Sequence, residues 1–209
     1  MSASLHNRHF LYRRIHSLLG LVPLGIFMVF HLWQNSQARL GAAHYNALVA
    51  KMAEINYLLV FEATLVVVPL LLHAAYGLVI LGSGTAEPLR YSYRRNWLYW
   101  LQRMSGIAMI AFVALHLGLT RIAAIIDPSI YNDMYSHMQH SLSQPVTFGV
   151  YMVGLWLSVF HLANGLATAA ITWGLTTNAA AQRRFGLLCI PFGLVLGALG
   201  TQGLIGFVL

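Results

Sequence analysis

Five stretches of this chain are each long and apolar enough to cross a lipid bilayer. A bilayer core about 30 Å thick needs about 20 apolar residues in one helix. The stretches that reach this length are 17–35, 57–82, 104–125, 146–173 and 185–208. Only 8% of the 209 residues are charged, whereas a soluble domain carries about a quarter. The sequence therefore predicts an all-α integral membrane bundle of five transmembrane helices, folded as one domain over residues 1–209.

The connections between these stretches are short. None is long enough for a soluble catalytic domain, so any chemistry on a soluble substrate must belong to another subunit. The single cysteine, Cys189, cannot form an internal disulfide bridge. These features predict a multi-pass protein of the cell membrane that contacts lipid and has no nucleic-acid partner.

The basic residues indicate how the helices are oriented. Positive side chains accumulate in the cytoplasmic connections of membrane proteins. Three basic residues, Arg39, Lys51 and Arg121, lie on one side of the bundle, and nine lie on the other. These nine are Arg8, Arg13, Arg14, Arg90, Arg94, Arg95, Arg103, Arg183 and Arg184. We therefore expect a cytoplasmic N-terminus and a C-terminus on the outside.

The second and fourth stretches share a short motif, H-x-A-x-G-L. It occurs at His73–Leu78 and again at His161–Leu166. The first and third stretches carry His31 and His116, and the connection after each contains a Tyr-Asn pair followed by a methionine. The two pairs are Tyr45-Asn46 and Tyr131-Asn132. The order and spacing of these elements predict that helices 1 and 2 are a parallel repeat of helices 3 and 4.

Four of the ten histidines lie deep within the apolar stretches: His31, His73, His116 and His161. An ionisable side chain within lipid is costly and usually has a function, although a single buried histidine can also be a hydrogen-bonded packing residue. At about 1.5 Å per residue, His31 and His116 lie in the outer half of the membrane, and the other two lie in the cytoplasmic half. Neutral imidazole is a good ligand for haem iron. Four histidines at two depths predict two haems b, each held by two axial histidines.

Several neighbours extend this candidate site. Gly77 and Gly165 follow the inner histidines by one turn and leave room for a porphyrin edge, although small residues are also common in ordinary helix packing. Four polar residues lie at the cytoplasmic ends of helices 1 and 3, where they can pair with haem propionates. They are Arg14, His16, Ser17 and Arg103. The arginines are equally expected from the positive-inside rule.

Glu62 is an acidic residue within the second stretch. It precedes His73 by 11 residues, which places it about 16 Å further out and close to the level of the outer histidines. A carboxylate at this depth can exchange protons with a quinone that is reduced near the outer haem. The alternative is an interfacial side chain that extends to water.

Longer strings of the sequence carry a family resemblance. They are Arg13 to Gly20 (RRIHSLLG), Arg95-Asn96-Trp97 through Leu101-Gln102-Arg103, Thr120 to Ala124 (TRIAA) and Phe160 to Leu166 (FHLANGL). These strings and the spacing of all five helices resemble the five-helix, dihaem cytochrome b subunit of succinate:quinone oxidoreductase of the Bacillus type, over nearly the whole chain. In that family one histidine from each of the first four helices is an axial ligand. The resemblance implies the same role for His31, His73, His116 and His161.

The resemblance also implies partners and a path for electrons. A flavoprotein subunit with FAD, which oxidises succinate, and an iron–sulfur subunit would dock on the cytoplasmic face. Electrons would pass through the inner and then the outer haem to a quinone, for which menaquinone is the expected species. The basic second connection and the pair Arg183-Arg184 are candidate docking surfaces, although anionic lipid attracts the same charges. The resemblance leaves open whether the complex forms a higher oligomer.

Other classes of protein share parts of this pattern. A fumarate reductase anchor would use the same arrangement in reverse, and hydrogenases and formate dehydrogenases also have cytochrome b anchors. A quinol:cytochrome c type cytochrome b would place two histidine ligands on each of two helices, whereas helices 2 to 4 have one deep histidine each here. A proton-coupled transporter can also have a parallel repeat and intramembrane histidines. It would more naturally show broken helices and acidic residues near the midplane.

Overall fold

The computed structural model describes residues 2–84 and 87–209, with side chains from residue 9 onward. Five helical segments in these residues are long and apolar enough to cross a membrane. We name them the first to fifth spans: His9–Leu40, Leu58–Gly82, Arg94–Ile126, Pro145–Thr172 and Ala179–Gly206. The predicted all-α bundle of five spanning helices is confirmed. We call the end of the bundle that carries residues 41–57 and 127–144 the outer end, after the predicted orientation, which stays a prediction.

The helices extend further than the apolar stretches. The first helix begins at Ser2, and the helix of the third span begins at Arg94 rather than at residue 104. A helical backbone satisfies its own hydrogen bonds, so it continues beyond the apolar core while arginine side chains extend to the interface. The fifth span begins after Asn178, whose side chain accepts a hydrogen bond from the Ala181 N–H at 2.9 Å.

The first span is interrupted near its middle. Proline has no N–H to donate, so the helix stops before Pro23 and a second helix begins there. The span then ends in a 3₁₀ turn. The successive segments are Ser2–Leu21, Pro23–Ser36 and Gln37–Leu40.

The second and third spans each contain a π-helical segment towards the outer end. These segments are Ala63–Val67 and Gly118–Ile122. The first precedes Pro69, which is buried in the opening turn of the helix that follows. A π turn inserts extra residues into the helical ladder, and such turns occur frequently at functional sites. The α-helices around them are Leu58–Glu62 and Val68–Gly82 in the second span, and Arg94–Leu117 and Ala123–Ile126 in the third.

The two outer connections contain helices where the sequence predicts loops. These helices are Ala42–Ala53 and Met134–Leu142, and the 3₁₀ segment Pro128–Asp133 precedes the second. They are too short to cross a membrane, but each buries apolar side chains. Together they cover a cluster of buried residues at the outer end: Ala38, Tyr45, Tyr135, Met138, Leu142, Tyr151 and Phe207.

One asparagine joins the two outer helices. The Asn46 amide donates to Oδ1 of Asp133 at 2.8 Å, and its oxygen accepts from the backbone N–H of Tyr135 at 3.0 Å. Tyr45-Asn46 lies in an α-helix, whereas Tyr131-Asn132 lies in the 3₁₀ segment. The shared Tyr-Asn string therefore does not mark equivalent local structure in the two halves.

The fifth span packs against the first and fourth spans through buried glycines: Gly193, Gly197, Gly200, Gly203 and Gly206. A Cβ built on Gly203 would lie 2.9 Å from the Asn35 carbonyl oxygen, and one built on Gly206 would lie 2.5 Å from the Arg39 backbone nitrogen. Only glycine permits so close an approach of two backbones. Buried side chains of the first, fourth and fifth spans fill the space further in: Leu32, Leu155, Val159 and Leu196.

Candidate functional site

The four deep histidines meet in two pairs. His73 of the second span faces His161 of the fourth, with ring centroids 6.2 Å apart and ring planes at 84°. His31 of the first span faces His116 of the third, with ring centroids 5.6 Å apart and ring planes at 78°. The structure thus brings together the residues that share a depth, and each pair takes one histidine from each half of the repeat.

Each pair has the spacing of two axial ligands. A metal ion at about 2 Å from one nitrogen of each imidazole would place the ring centroids about 6 Å apart. Within residues 2–84 and 87–209, no group of three or more His, Cys, Asp or Glu side chains could hold a metal ion. Two facing imidazoles are a donor set that fits haem iron, whose other four ligands come from the porphyrin.

Hydrogen bonds orient both inner rings. Nδ1 of His73 lies 2.9 Å from the His16 carbonyl oxygen, to which it can only donate. Nδ1 of His161 lies 3.0 Å from the Ser105 hydroxyl, and that hydroxyl donates to the Gln102 carbonyl oxygen at 3.0 Å. The His73 ring therefore carries its proton on Nδ1, and His161 has the same tautomer when the Ser105 hydroxyl donates its proton to the Gln102 carbonyl. This tautomer leaves the Nε2 lone pair available for a metal.

Four glycines lie around the inner pair, and only two of them are found by the sequence motif. A Cβ on Gly77 would lie 3.4 Å from the His16 ring, and one on Gly165 would lie 3.4 Å from the Gln102 amide. The glycines that face the histidines themselves are Gly20 and Gly106. Their Cβ atoms would lie 2.5 Å from Cε1 of His73 and 3.2 Å from Cε1 of His161, respectively.

The repeat contains a signal for Gly20 and Gly106, but it is obscured. Gly20 follows His16 by four residues, and Gly106 follows Gln102 by four residues. Between Gly20 and His31, however, the first span has one residue more than the third span has between Gly106 and His116. The extra residue coincides with the interruption before Pro23, so a single offset does not align the two halves.

Two of the polar residues predicted near the inner site have unsatisfied buried atoms. The His16 ring stacks on the His73 ring, with centroids 4.0 Å apart and planes at 8°. Nδ1 of His16 and Nε of Arg14 are buried with no hydrogen-bond partner in the part of the chain that the structure describes. The Arg14 guanidinium lies over the rings of Phe10 and Trp173, 4.4 Å and 5.2 Å from their centroids. These buried donors can serve an anionic group.

The other two predicted propionate partners have different surroundings. Arg103 donates to the Ile80 carbonyl oxygen at 3.0 Å and also to the Leu81 carbonyl and the Tyr99 hydroxyl. Its guanidinium therefore satisfies the last carbonyls of the second span, as cations near a helix C-terminus commonly do. Ser17 is partly buried beside His16 in the same helix.

The outer rings have longer polar contacts than the inner ones. Nδ1 of His116 lies 3.4 Å from the Tyr151 hydroxyl. The Asn35 amide lies 3.4 Å from both ring nitrogens of His31 and donates to its carbonyl oxygen at 2.8 Å. Tyr45 donates to Asn35 Oδ1 at 3.0 Å, and burial raises the pKa of the Tyr45 hydroxyl to about 12. This neutral hydroxyl fixes the orientation of the amide.

Phenylalanine occupies the same place beside each outer histidine. Phe27 precedes His31 by one turn and Phe112 precedes His116 by one turn, and both couples have ring planes at 24°. Side chains four residues apart on a helix lie on the same face. The matching geometry supports the interpretation that the first and third spans are repeats of one another.

Glu62 forms an ion pair with Arg121 at the outer end. Arg121 follows His116 by five residues. The structure thus brings Glu62, which the sequence predicts near the level of the outer histidines, together with a basic residue of the third span. The Arg121 guanidinium also lies 5.5 Å from the ring centroid of Tyr131. The sequence pattern did not connect Arg121 with Glu62, although a basic residue inside an apolar span is itself a signal.

His137, in the second outer connection, is partly buried. Its Nε2 donates to the Leu119 carbonyl oxygen at 2.7 Å. Leu119 belongs to the π-helical segment of the third span, where the regular ladder of hydrogen bonds is shifted. His137 therefore holds the outer helix Met134–Leu142 against that segment.

Comparisons with known proteins agree with this arrangement. A family profile described as succinate dehydrogenase/fumarate reductase transmembrane subunit matches residues 85–200. The succinate dehydrogenase cytochrome b558 subunit of Bacillus subtilis (strain 168) is 38% identical over 202 residues, which cover 97% of this chain and 98% of that protein. With its five spans, this chain is a multi-pass membrane anchor of the cell membrane, and it belongs to the succinate dehydrogenase/fumarate reductase transmembrane subunit family.

Proposed function

We propose that this chain is the dihaem cytochrome b anchor of a succinate:quinone oxidoreductase. It would pass electrons from an iron–sulfur subunit through an inner and an outer haem b to a quinone, with menaquinone as the species. The observation that carries the proposal is the pair of facing histidines at each of two depths. The name of the Bacillus subtilis relative, a cytochrome b558, supports haem b as the cofactor.

We assign His73 and His161 to the inner haem iron, and His31 and His116 to the outer. When bound, the two haems supply one-electron transfer between the two sides of the membrane. The protein holds the ligand rings in a fixed tautomer through the His16 carbonyl and the Ser105 hydroxyl. Such second contacts set the orientation and basicity of a ligating imidazole.

The residues around the inner pair would hold the edge and the propionates of the inner haem. Arg14 and His16 are the strongest candidates, because each has a buried nitrogen with no partner among the described residues. Ser17 adjoins them. Arg103 is a weaker candidate because it already donates to backbone carbonyls. Gly77 and Gly165 let the His16 ring and the Gln102 amide approach the second and fourth spans closely beside this space.

The soluble partners would dock at the end of the bundle opposite the outer helices. Four exposed arginines lie there, at the beginnings of the third and fifth spans: Arg94, Arg95, Arg183 and Arg184. We propose that this basic surface faces the cytoplasm and receives the iron–sulfur subunit, which in turn carries the flavoprotein subunit with FAD. Anionic lipid headgroups would occupy the remaining charges.

Glu62 is proposed to exchange protons with the quinone. Reduction of a quinone consumes two electrons and two protons, and converts each carbonyl oxygen into a hydroxyl. A carboxylate at the outer end, partly exposed towards lipid and water, can relay such protons. If Glu62→Gln leaves quinone reduction by succinate unchanged, Glu62 has no part in proton exchange.

A pyridine haemochrome assay on the purified complex tests the main proposal. Two haems b per copy of this chain are expected, and fewer than two would overturn the assignment. The assay should be calibrated by the FAD content of the same sample, because flavin counts the assembled complexes independently of haem.

A fumarate reductase anchor is the second candidate, because the matching family includes both enzymes. The two differ in the physiological direction of electron flow. Rates of succinate oxidation by a quinone and of fumarate reduction by the corresponding quinol, measured on the same complex, would separate them.

A further inference from the structure

We propose that Arg121 and Tyr131 form the binding site for the headgroup of the quinone. The inference rests on the proposed function and deepens it, because it identifies the groups that hold the substrate rather than the group that exchanges its protons. The site lies at the outer ends of the second and third spans, around the ion pair of Arg121 with Glu62.

The first observation is a charged pair where charge is costly. Arg121 and Glu62 both belong to spanning helices, and their side chains remain 28% and 35% exposed. Intramembrane charges normally face the interior of a bundle. A pair that is only partly covered can be reached by a ligand that diffuses within the membrane.

The second observation is that the pair is built on irregular helices. Glu62 immediately precedes the π-helical segment Ala63–Val67, and Arg121 lies within the segment Gly118–Ile122. His137 supports the second segment through its hydrogen bond to the Leu119 carbonyl. The two side chains meet at these π segments, and such local irregularities recur where proteins bind ligands.

The third observation is an orphaned donor. The Tyr131 hydroxyl is buried with no hydrogen-bond partner in the described part of the chain, and the Arg121 guanidinium lies above its ring. Buried hydroxyls are normally satisfied, so each exception calls for a ligand or a water. A guanidinium has five N–H donors, and Glu62 engages the Nη2 group.

These groups match the chemistry of a quinone headgroup. A quinone presents two carbonyl oxygens, which only accept hydrogen bonds, on a flat apolar ring. Arg121 and Tyr131 supply donors for one carbonyl, and a cation stabilises the negative charge that grows on that oxygen as two electrons arrive from succinate oxidation. The two protons that complete the quinol are taken up at the oxygens, with Glu62 beside the first of them.

The surrounding surface suits the tail of the same molecule. Apolar side chains next to the pair are exposed on the membrane side: Phe61, Leu65, Ile122 and Ile125. An isoprenoid chain lying over them would remain in hydrocarbon while the headgroup reaches the polar pair. The ligand therefore enters from the bilayer and not from water.

The test uses the assembled complex in lipid nanodiscs and a 2-methyl-1,4-naphthoquinone with a short isoprenyl chain. Calorimetry gives its Kd, and the succinate-driven reaction gives KM and kcat. Arg121→Gln should raise Kd and KM by about tenfold to a hundredfold, because a hydrogen bond from a charged donor is lost. Arg121→Lys should fall between this variant and the wild type. Tyr131→Phe should raise Kd by about threefold to tenfold.

Haem content and absorption spectra are recorded for every variant. Arg39→Gln is the matched control, because Arg39 is an exposed cation at the same end of the bundle, and it should leave Kd unchanged. An unchanged Kd in Arg121→Gln with both haems retained overturns the inference while the proposed function stands. If that variant does not assemble, an unchanged Kd in Tyr131→Phe overturns it. A wild-type complex without two haems overturns the proposed function, whatever the Kd.

Discussion

The Ser105 hydroxyl lies 3.0 Å from Nδ1 of His161 and joins the third span to the fourth. A hydroxyl has one proton, so when Ser105 donates it to the Gln102 carbonyl oxygen the same hydroxyl accepts from Nδ1–H of His161. On the other side of the inner pair, the His16 carbonyl does the same for His73. The outer histidines have contacts of 3.4 Å in the corresponding places. The protein thus controls the two inner rings more tightly than the two outer ones.

Ser105→Ala should raise the midpoint potential of the inner haem. A hydrogen bond accepted from Nδ1–H makes the imidazole more basic, and a more basic ligand favours ferric iron. Its loss therefore favours the ferrous form. The measurement is a spectroelectrochemical titration of the purified complex, in which the outer haem should keep its potential.

Ser158→Ala is the control for Ser105. Ser158 is a partly buried serine of the fourth span, and its hydroxyl donates to the Gly154 carbonyl of its own helix. It should not change either potential. An inner haem whose potential is unchanged or lower in Ser105→Ala would contradict the proposed orientation of His161.

Replacing single histidines should remove the haems selectively. His73→Ala or His161→Ala should remove or perturb one spectral component, and His31→Ala or His116→Ala the other, because each variant would take away one of the two proposed iron ligands. Low-temperature absorption spectra of membranes that contain each variant would distinguish the components. His140→Ala, an exposed histidine of the outer helix, should leave both unchanged. Loss of the same component in His31→Ala and His73→Ala would disprove the pairing.

The histidine pairs could be predicted from sequence because depth follows directly from position in a regular helix. At a constant rise per residue, His31 and His116 reach one level and His73 and His161 another, and the structure brings these pairs together. The contact between Glu62 and Arg121 could not be predicted in the same way. It depends on π-helical segments, which shift the face of a helix and leave no reliable mark in an apolar sequence.

The outer helices and the glycines beside the inner pair show a second limit. The helix Met134–Leu142 is amphipathic but only 9 residues long, so its apolar residues form no stretch that could cross a membrane. Gly20 and Gly106 are two of 18 glycines, and their spacing of four residues from His16 and Gln102 is hidden by the extra residue in the first span. Only the packing of the helices shows which glycines face a histidine and which face another helix.

Gly203→Ala should destabilise the bundle. The added Cβ would lie 2.9 Å from the carbonyl oxygen of Asn35, and backbone atoms cannot move aside as a flexible side chain would. Overpacking of this kind costs about 1–3 kcal/mol. A thermal unfolding curve of the haem-loaded complex should show a lower Tm.

Gly186→Ala is the matched control for Gly203. Gly186 lies in the same helix, and a Cβ there would meet no atom within 4 Å. This variant should be neutral or slightly more stable, because alanine favours a helix by about 0.5–1 kcal/mol over glycine. Equal Tm values for the two variants would show that the fifth span can move away from the first without cost.

The outer helix Met134–Leu142 should loosen at low pH. Hydrogen bonds from Ser136 and then from Asn46 hold the pKa of the Asp133 carboxyl below its ordinary value of 3.8. A lowered folded pKa means that the carboxylate stabilises the folded state above pH 3.8, and that this contribution is lost as the pH falls towards the folded value. Hydrogen exchange of residues 134–142, corrected for the intrinsic rate at each pH, should therefore accelerate in this range.

Asp133→Asn should abolish this pH dependence, because an amide does not titrate. Residues 134–142 should then exchange faster than in the wild type at neutral pH, since the N-terminal positive dipole of the helix loses its anion. Asp127→Asn provides the comparison: its carboxyl also has a lowered pKa, from hydrogen bonds with Ser129, but it does not cap this helix. If Asp127→Asn removes the pH dependence of exchange and Asp133→Asn does not, the contact between the two outer helices does not depend on the charge of Asp133.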